Sequence, residues 1–258
     1  MTFAVQAQVY DSFVGRYGEA LGRELAACAG LDAGMRALDV GAGTGKLTAV
    51  LAAIVGESSV SAVDPSELFV DALASRFPDA EVVQAGAEEL PFADGSFDAV
   101  FAQLVVNFMR DPERGAKEMR RVAADGGVLA AAVWDYPGEM TMLTTFWGAA
   151  AALDPMGVEA SDERTTMAFD ERGELGELWR QAGLRDVQEG EIVVSVRYSS
   201  FEELWEPFTA GVGPAGAYTA ALPAEEREDL RREYSVHLGS PSGPFELSAR
   251  AWYAVGTK

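Results

Sequence analysis

The chain has one cysteine, Cys28, one histidine, His237, and lysines only at positions 46, 117 and 258. A lone cysteine cannot close an intrachain disulfide, and a single histidine leaves no Cys/His set for structural zinc, so no metal site is expected. Basic side chains are scarce altogether: 20 lysines and arginines face 41 acids, for a formal charge of −21. Such a surface repels phosphodiester backbones and anionic headgroups, which removes nucleic acid and membrane from the expected partners. The densest arginine run, EEREDLRRE at 225–233, is interleaved with acids and reads as a solvated helix face. Long apolar runs are missing too, since GGVLAAAVW and FWGAAAALDP are too short to cross a bilayer. The opening MTFAVQAQVYDSF has no basic region ahead of an apolar core, so no secretory signal is expected. A soluble protein of a reducing cytoplasm is the expectation.

What is present is ordinary globular composition, 48% hydrophobic and 24% charged, in 258 residues, enough for the core of one large α/β domain. Short apolar runs at 36–41, 59–64, 81–85, 97–103 and 127–134 predict strands. The segments KLTAVLAAIVG, SELFVDALASRF and PERGAKEMRRVA between them carry apolar residues at helical spacing. That alternation predicts a doubly wound, largely parallel sheet with helices on both faces. Ser66 is a candidate N-cap, Pro112 opens a helix after Asp111, and AADGG at 123–127 stops it. Beyond Trp134 the rhythm changes: an aromatic and Met-rich stretch, a helix over 173–184, an alternating strand over 187–198, three helical pieces, and a last strand over 245–255. With no repeat or linker, the expectation is a single domain over 1–258. It comprises an N-terminal helical segment (1–30), a cofactor-binding core (31–135) and lid insertions (137–165 and 199–240) placed after strands, where such folds put their ligand crevice.

The stretch DVGAGTGKL at 39–47 admits three readings. A Walker A loop fails, because Gly45-Lys46 is followed by Leu47 and Val40 stands at the first-glycine position. A dinucleotide loop wants its third glycine one residue later, where Lys46 stands. The third reading pairs Asp39 near the strand end with a G-x-G-x-G turn that can close on an amino-acid tail and a ribose.

Taken with VDPS at 63–66, AEELPFADGSFDAVFAQLVVNF at 87–108 and EMRRVAADGGVLAAAVW at 118–134, the loop resembles the class I S-adenosylmethionine-dependent methyltransferases, specifically the small-molecule type 11 group. VYDSFVGRY at 9–17 is similar to an N-terminal signature in one bacterial branch of that group. The resemblance implies a Rossmann-like seven-stranded sheet, mostly parallel with one antiparallel strand, and S-adenosyl-L-methionine as cofactor. It implies cofactor contacts at Asp39, Gly41, Ala42, Gly43, Gly45, Asp64, Pro65, Ala87, Glu88, Gln103 and Leu104. The glycines would admit close main-chain approach, Asp64 would bind the ribose hydroxyls, Ala87 and Glu88 would hold the adenine, and residues 103–105 would lie beneath the methionine part. Members often carry Asp before the Ala-Glu pair, where this chain has Gly86.

Methyl transfer from a sulfonium is an in-line displacement whose leaving group needs no proton, so positioning is the main demand. No catalytic base is singled out; Asp135 and Asn107 could orient an acceptor, and His237 near a helix C-terminus fits a dipole-complementing role. Substrate contacts are expected among Tyr10, Arg16, Tyr17, Asn107, Phe108, Trp134 and Trp205, with Tyr136, Phe146, Trp147, Phe208 and Tyr218 as further aromatics of a pocket or of the core. The expected acceptor is a small, partly apolar molecule, methylated on oxygen, nitrogen or carbon. Against a base-amino methylase stands AQLVV at the fourth strand, which lacks an Asn/Asp-Pro-Pro-aromatic motif. The alternatives are an NAD(P)-dependent oxidoreductase, for which no Tyr-x-x-x-Lys is present, and a non-catalytic cofactor binder of the same fold.

Overall fold

A computed structural model of the chain describes residues 12–258. The central strands β1 (Ala37–Val40) and β2 (Val60–Asp64) are buried at every position, which is why they read as unbroken apolar runs. With β3 (Glu81–Gln84), β4 (Phe97–Gln103), β5 (Ala123–Trp134), β6 (Arg185–Tyr198) and β7 (Phe245–Thr257) they form a seven-stranded sheet in the order β3-β2-β1-β4-β5-β7-β6. The pairs β2–β3, β1–β2, β1–β4 and β4–β5 are parallel. Strand β7 lies antiparallel to β5, from Val128↔Thr257 to Trp134↔Ala251. The sequence order of the strands reverses between β1 and β4, so the crevice of a doubly wound sheet opens beyond the carboxyl ends of those two strands.

Local chemistry sets the helix boundaries. The chain enters α1 (Gly18–Cys28) ahead of β1, and α2 (Lys46–Val55) and α3 (Glu67–Arg76) follow β1 and β2. Helix α4 (Pro112–Val122) begins as its residues dictate: Pro112 needs no donor in the first turn, and the Asp111 carboxylate accepts the Arg114 N–H at 3.0 Å. Ser66 occupies the N-cap of α3 without a side-chain cap bond, and its own N–H is taken by Asp64. AADGG ends α4 as expected, yet it is not a loop: β5 starts at Ala123, and a register shift between Phe97 and Ala99 on β4 absorbs the irregular residues.

Two compact units divide the chain. The sheet unit, residues 18–134, 169–192 and 251–258, holds β1 to β5, α1 to α4 and α7 (Glu174–Gln181). There the Trp179 indole N–H donates to the Ala254 carbonyl at 3.2 Å, and the Lys258 ammonium donates to the Arg121 and Ala123 carbonyls at the end of α4. The helical unit takes 12–17, 135–168 and 193–250 of the described residues, and both stretches read as insertions fall inside it. Its helices are α5 (Thr141–Leu153), α6 (Glu163–Thr166), α8 (Phe201–Thr209), α9 (Gly213–Ala221) and α10 (Ala224–His237). Aromatic rings fill its interior: Phe146 stacks on Phe208 at 4.5 Å, with Phe13, Trp205 and Tyr234 around them. Ring pairs of this kind add about 0.5–1.5 kcal/mol each beyond area burial.

Candidate functional site

The turn after β1 is held by main chain and by one carboxylate. The Gly41 and Ala42 amides both donate to the Val63 carbonyl, at 2.8 and 3.0 Å, folding the loop back over the end of β2. Asp64 then reaches across with both oxygens, accepting the Gly43 N–H and the Ser66 N–H at 2.9 Å each. Burial pushes the Asp64 carboxyl up from its ordinary pKa, and the amides of Ser66 and Gly43 oppose that shift. Each carboxylate oxygen keeps acceptor capacity after its first bond.

Two glycines are required by packing as well as by dihedral angle. Gly41 has φ 72°, and a Cβ there would lie 2.6 Å from the Val105 side chain. Gly45 has φ 79°, and its Cβ would meet Leu73 at 2.7 Å and Phe77 at 2.8 Å. Ala42 packs in a small core with Ala62, Leu73 and Phe77, so the loop is seated on α3. Arg76 of α3 adds a bond to the Thr44 carbonyl at 2.9 Å. Helix α2 starts from Gly45, which has no side chain to cap it, and the Asp39 carboxylate takes the Thr48 amide of the first turn instead.

Asp39 lies beneath this loop, 1% exposed, and accepts the Thr48 hydroxyl at 2.6 Å. Burial raises its pKa to about 7; the Asp64 charge adds to the rise and the Thr48 hydroxyl opposes it.

A cavity of about 460 Å³ opens at the switch point, lined by Gly41 and Pro65, the 85–88 segment, Val105, and Phe108 to Arg110. Its two far walls are clasped by Glu88, whose Oε1 accepts the Arg110 N–H at 2.9 Å and the Asp111 N–H at 3.4 Å. The other carboxylate oxygen of Glu88 lies 3.1 Å from where a Cβ at Gly86 would stand. The Glu88 carboxylate therefore occupies the space a side chain at 86 would enter. Phe108 is 62% exposed at this wall. Leu104 has φ 61°, a left-handed conformation at the end of β4 that costs a non-glycine residue about 1–2 kcal/mol.

Of the residues expected from sequence, the structure gathers Gly41, Pro65, Ala87, Glu88 and Phe108 in the cavity wall, with Gly43, Gly45, Ala42 and Asp64 forming and bracing the adjacent loop. Leu104 and Asn107 belong to the same segment after β4. Gln103 is turned to α1, where its Nε2 donates to the Gly18 carbonyl at 2.9 Å, so it ties a helix down instead of lining the cavity. Trp134 is 1% exposed in the core of the sheet unit.

Other candidates belong to the helical unit. Tyr17 is fully buried, its hydroxyl 3.4 Å from that of Tyr198, and Arg16 bonds Glu203 at 2.7 Å and lies over the Tyr198 ring. Trp205, Phe146, Trp147 and Phe208 are buried among one another, and Tyr136 is 7% exposed. Asp135 accepts two guanidinium nitrogens of Arg250, at 2.7 and 2.8 Å, and the Gly138 and Glu139 amides. Those bonds satisfy it structurally and leave no call on it to orient an acceptor. His237 faces the Glu233 carbonyl at 3.0 Å near the end of α10. Tyr10 lies outside the described residues. Sequence reasoning missed Met109 and Arg110 in the cavity wall; their position between the fourth strand and the Asp111-Pro112 helix start was the signal available.

Comparison with known proteins follows the sheet unit. Residues 38–131 match the family model described as a methyltransferase domain. The ubiquinone/menaquinone biosynthesis C-methyltransferase UbiE of Vibrio cholerae is 37% identical over 109 residues, 40% of this chain and 42% of that protein. The chain thus matches about two fifths of the length of that relative. Among solved structures, a Thermotoga maritima protein described as an SAM-dependent methyltransferase, possible histamine N-methyltransferase, superposes with TM-score 0.52 at 20% identity, covering 98% of this chain and 99% of that one. The cyclase SpnF superposes with TM-score 0.54 at 19% identity, covering 92% and 80%. Those two likenesses concern the fold.

Proposed function

We propose that this chain, which belongs to the class I S-adenosylmethionine-dependent methyltransferases, transfers a methyl group to a small, partly apolar acceptor. The observation that carries the reading is the cavity at the carboxyl ends of β1 and β4, walled by the Gly41 turn on one side and by the Glu88-clasped segments on the other. Its residues fit an adenosine group. Asp64 keeps acceptor capacity for ribose hydroxyls. Val105, Phe108 and Met109 give a flat base an apolar wall, and the Glu88 oxygen not bonded to Arg110 and Asp111 offers an acceptor to an exocyclic amine. Glu88 thereby takes over the part that an acid at 86 has in many relatives.

The bound cofactor supplies an electrophilic methyl on a sulfonium. The chain's own task is orientation: the Gly41–Gly45 turn, fixed by Val63 and Asp64, holds the reacting end in one place before the acceptor arrives. The formal charge of −21 supports an acceptor that is not a nucleic acid, and the single cysteine fits a reducing cytoplasm.

Calorimetric titration with S-adenosylhomocysteine tests the reading, with NADH as parallel ligand and Asp64→Ala as control. Micromolar binding of S-adenosylhomocysteine that Asp64→Ala abolishes is expected. Binding of NADH with silence toward S-adenosylhomocysteine would sink it.

A further inference from the structure

A second cavity lies wholly within the helical unit, between α5, α9 and α10, and at about 210 Å³ it is below the roughly 300–1,000 Å³ usual for drug-sized ligands. We propose that it binds a small organic cation with an apolar body, such as an arylalkyl ammonium.

Its floor is hydrocarbon: Ala150 and Leu230 are each 1% exposed, and Leu153 and Leu222 complete it. Leu153 is 48% exposed at the mouth, so apolar surface stays wet there while the cavity is open. One wall is the ring of Tyr218, half-buried and backed by Trp147 at 5.4 Å and Phe146 at 6.5 Å. Tyr136, Phe146, Trp147 and Phe208, by contrast, are buried.

The rim sets the charge of the occupant. Asp154, Glu226 and Asp229 surround the opening. Asp229 is paired with Arg232, and the Arg227 guanidinium is committed to the Thr219, Ala220 and Leu222 carbonyls. Among the described residues, Asp154 and Glu226 form no ion pair; one Asp154 oxygen accepts the Gly157 N–H at 3.0 Å. Asp154 also caps the C-terminal end of α5, opposite to the sign that the helix dipole favours there. Burial, then the charges of Asp154 and Glu226, push the Tyr218 phenol up, so both carboxylates act on that one ring.

A neutral apolar guest would gain nothing from these exposed carboxylates. An ammonium offers both of them a counter-charge and can lie against the Tyr218 face, while its hydrocarbon part takes the leucine floor. No step of the methyl-transfer reading enters this argument.

The probe is phenethylammonium, titrated calorimetrically into the full chain at neutral pH and low salt, with 2-phenylethanol as its uncharged counterpart. Saturable one-to-one binding of the ammonium is expected, weaker by about tenfold for the alcohol, a factor that corresponds to ~1.4 kcal/mol. Glu226→Gln and Asp154→Asn, both on the exposed surface, should each weaken the ammonium severalfold with an unchanged circular dichroism spectrum. Equal affinity for the alcohol, no saturable heat, or ammonium binding that neither variant changes would each overturn the proposal; the last would place the heat elsewhere on the acidic surface.

Discussion

Replacing Asp39 by asparagine isolates the cost of keeping a carboxylate under the glycine turn. Its native pKa of about 7 stands against an ordinary 3.8, because burial penalises the charged form more than the Thr48 hydroxyl stabilises it. About three pKa units at 1.36 kcal/mol each make about 4 kcal/mol. The sign follows from proton counting. Between pH 3.8 and about 7 the folded protein holds a proton on Asp39 that the unfolded chain has released, so stability falls as pH rises through that window and this contribution is flat above it. Asparagine keeps an acceptor for Thr48 and cannot ionise. The stability of Asp39→Asn minus that of the wild type should climb with pH, by up to about 4 kcal/mol from pH 4 to pH 8. Urea unfolding at intervals across that range measures the difference, in which the titration of Glu163, also raised to about 7 by burial, cancels. A difference that stays flat with pH would refute the claim that Asp39 is buried with a raised pKa.

Alanine at Gly45 combines left-handed strain with overlap on Leu73 and Phe77, for a loss of about 2–5 kcal/mol, whereas alanine at Gly43, whose nearest neighbour is 4.0 Å away, carries strain alone at about 1–2 kcal/mol. Thermal melts that rank the two equally would contradict the packing described. Glu88→Ala frees the Arg110 and Asp111 amides and the acceptor beside Gly86, and should weaken S-adenosylhomocysteine about tenfold in calorimetry, with Glu88→Gln restoring much of the clasp. No change in the alanine variant would remove Glu88 from the site. Arg250→Met leaves the Asp135 carboxylate buried without its cation and should cost about 3–5 kcal/mol in chemical denaturation. An undiminished midpoint would reopen a role for Asp135 in acceptor chemistry.

The sheet was legible because parallel central strands must be apolar on both faces, and ALDV and VSAVD announce that in four or five residues. The glycine turn was legible for a similar reason: only glycine tolerates both the angle and the neighbours at 41 and 45. What the sequence hid was direction. Gln103 alternates correctly for a strand end, but which face it serves depends on how closely Gly18 and Gly22 let α1 approach. The aromatics after Trp134 carry one periodicity whether they line a pocket or fill a core, and stacking such as that of Phe146 on Phe208 decides it in three dimensions. Glu88 was named for the adenine site, while the task the structure shows, joining two loops, rests on main-chain donors that leave no trace in side-chain identity.

Asp64 joins parts of the chain that are distant in sequence: the acid ends β2, and one of its two donors, Gly43, lies 21 residues earlier. Turn and acid are therefore a single module for anyone re-engineering the ligand. A graft that exchanges the glycine stretch alone would leave a buried carboxylate missing a donor, and one that exchanges the acid alone would set the turn adrift. Ligand preference at this crevice should move only when both segments are replaced together.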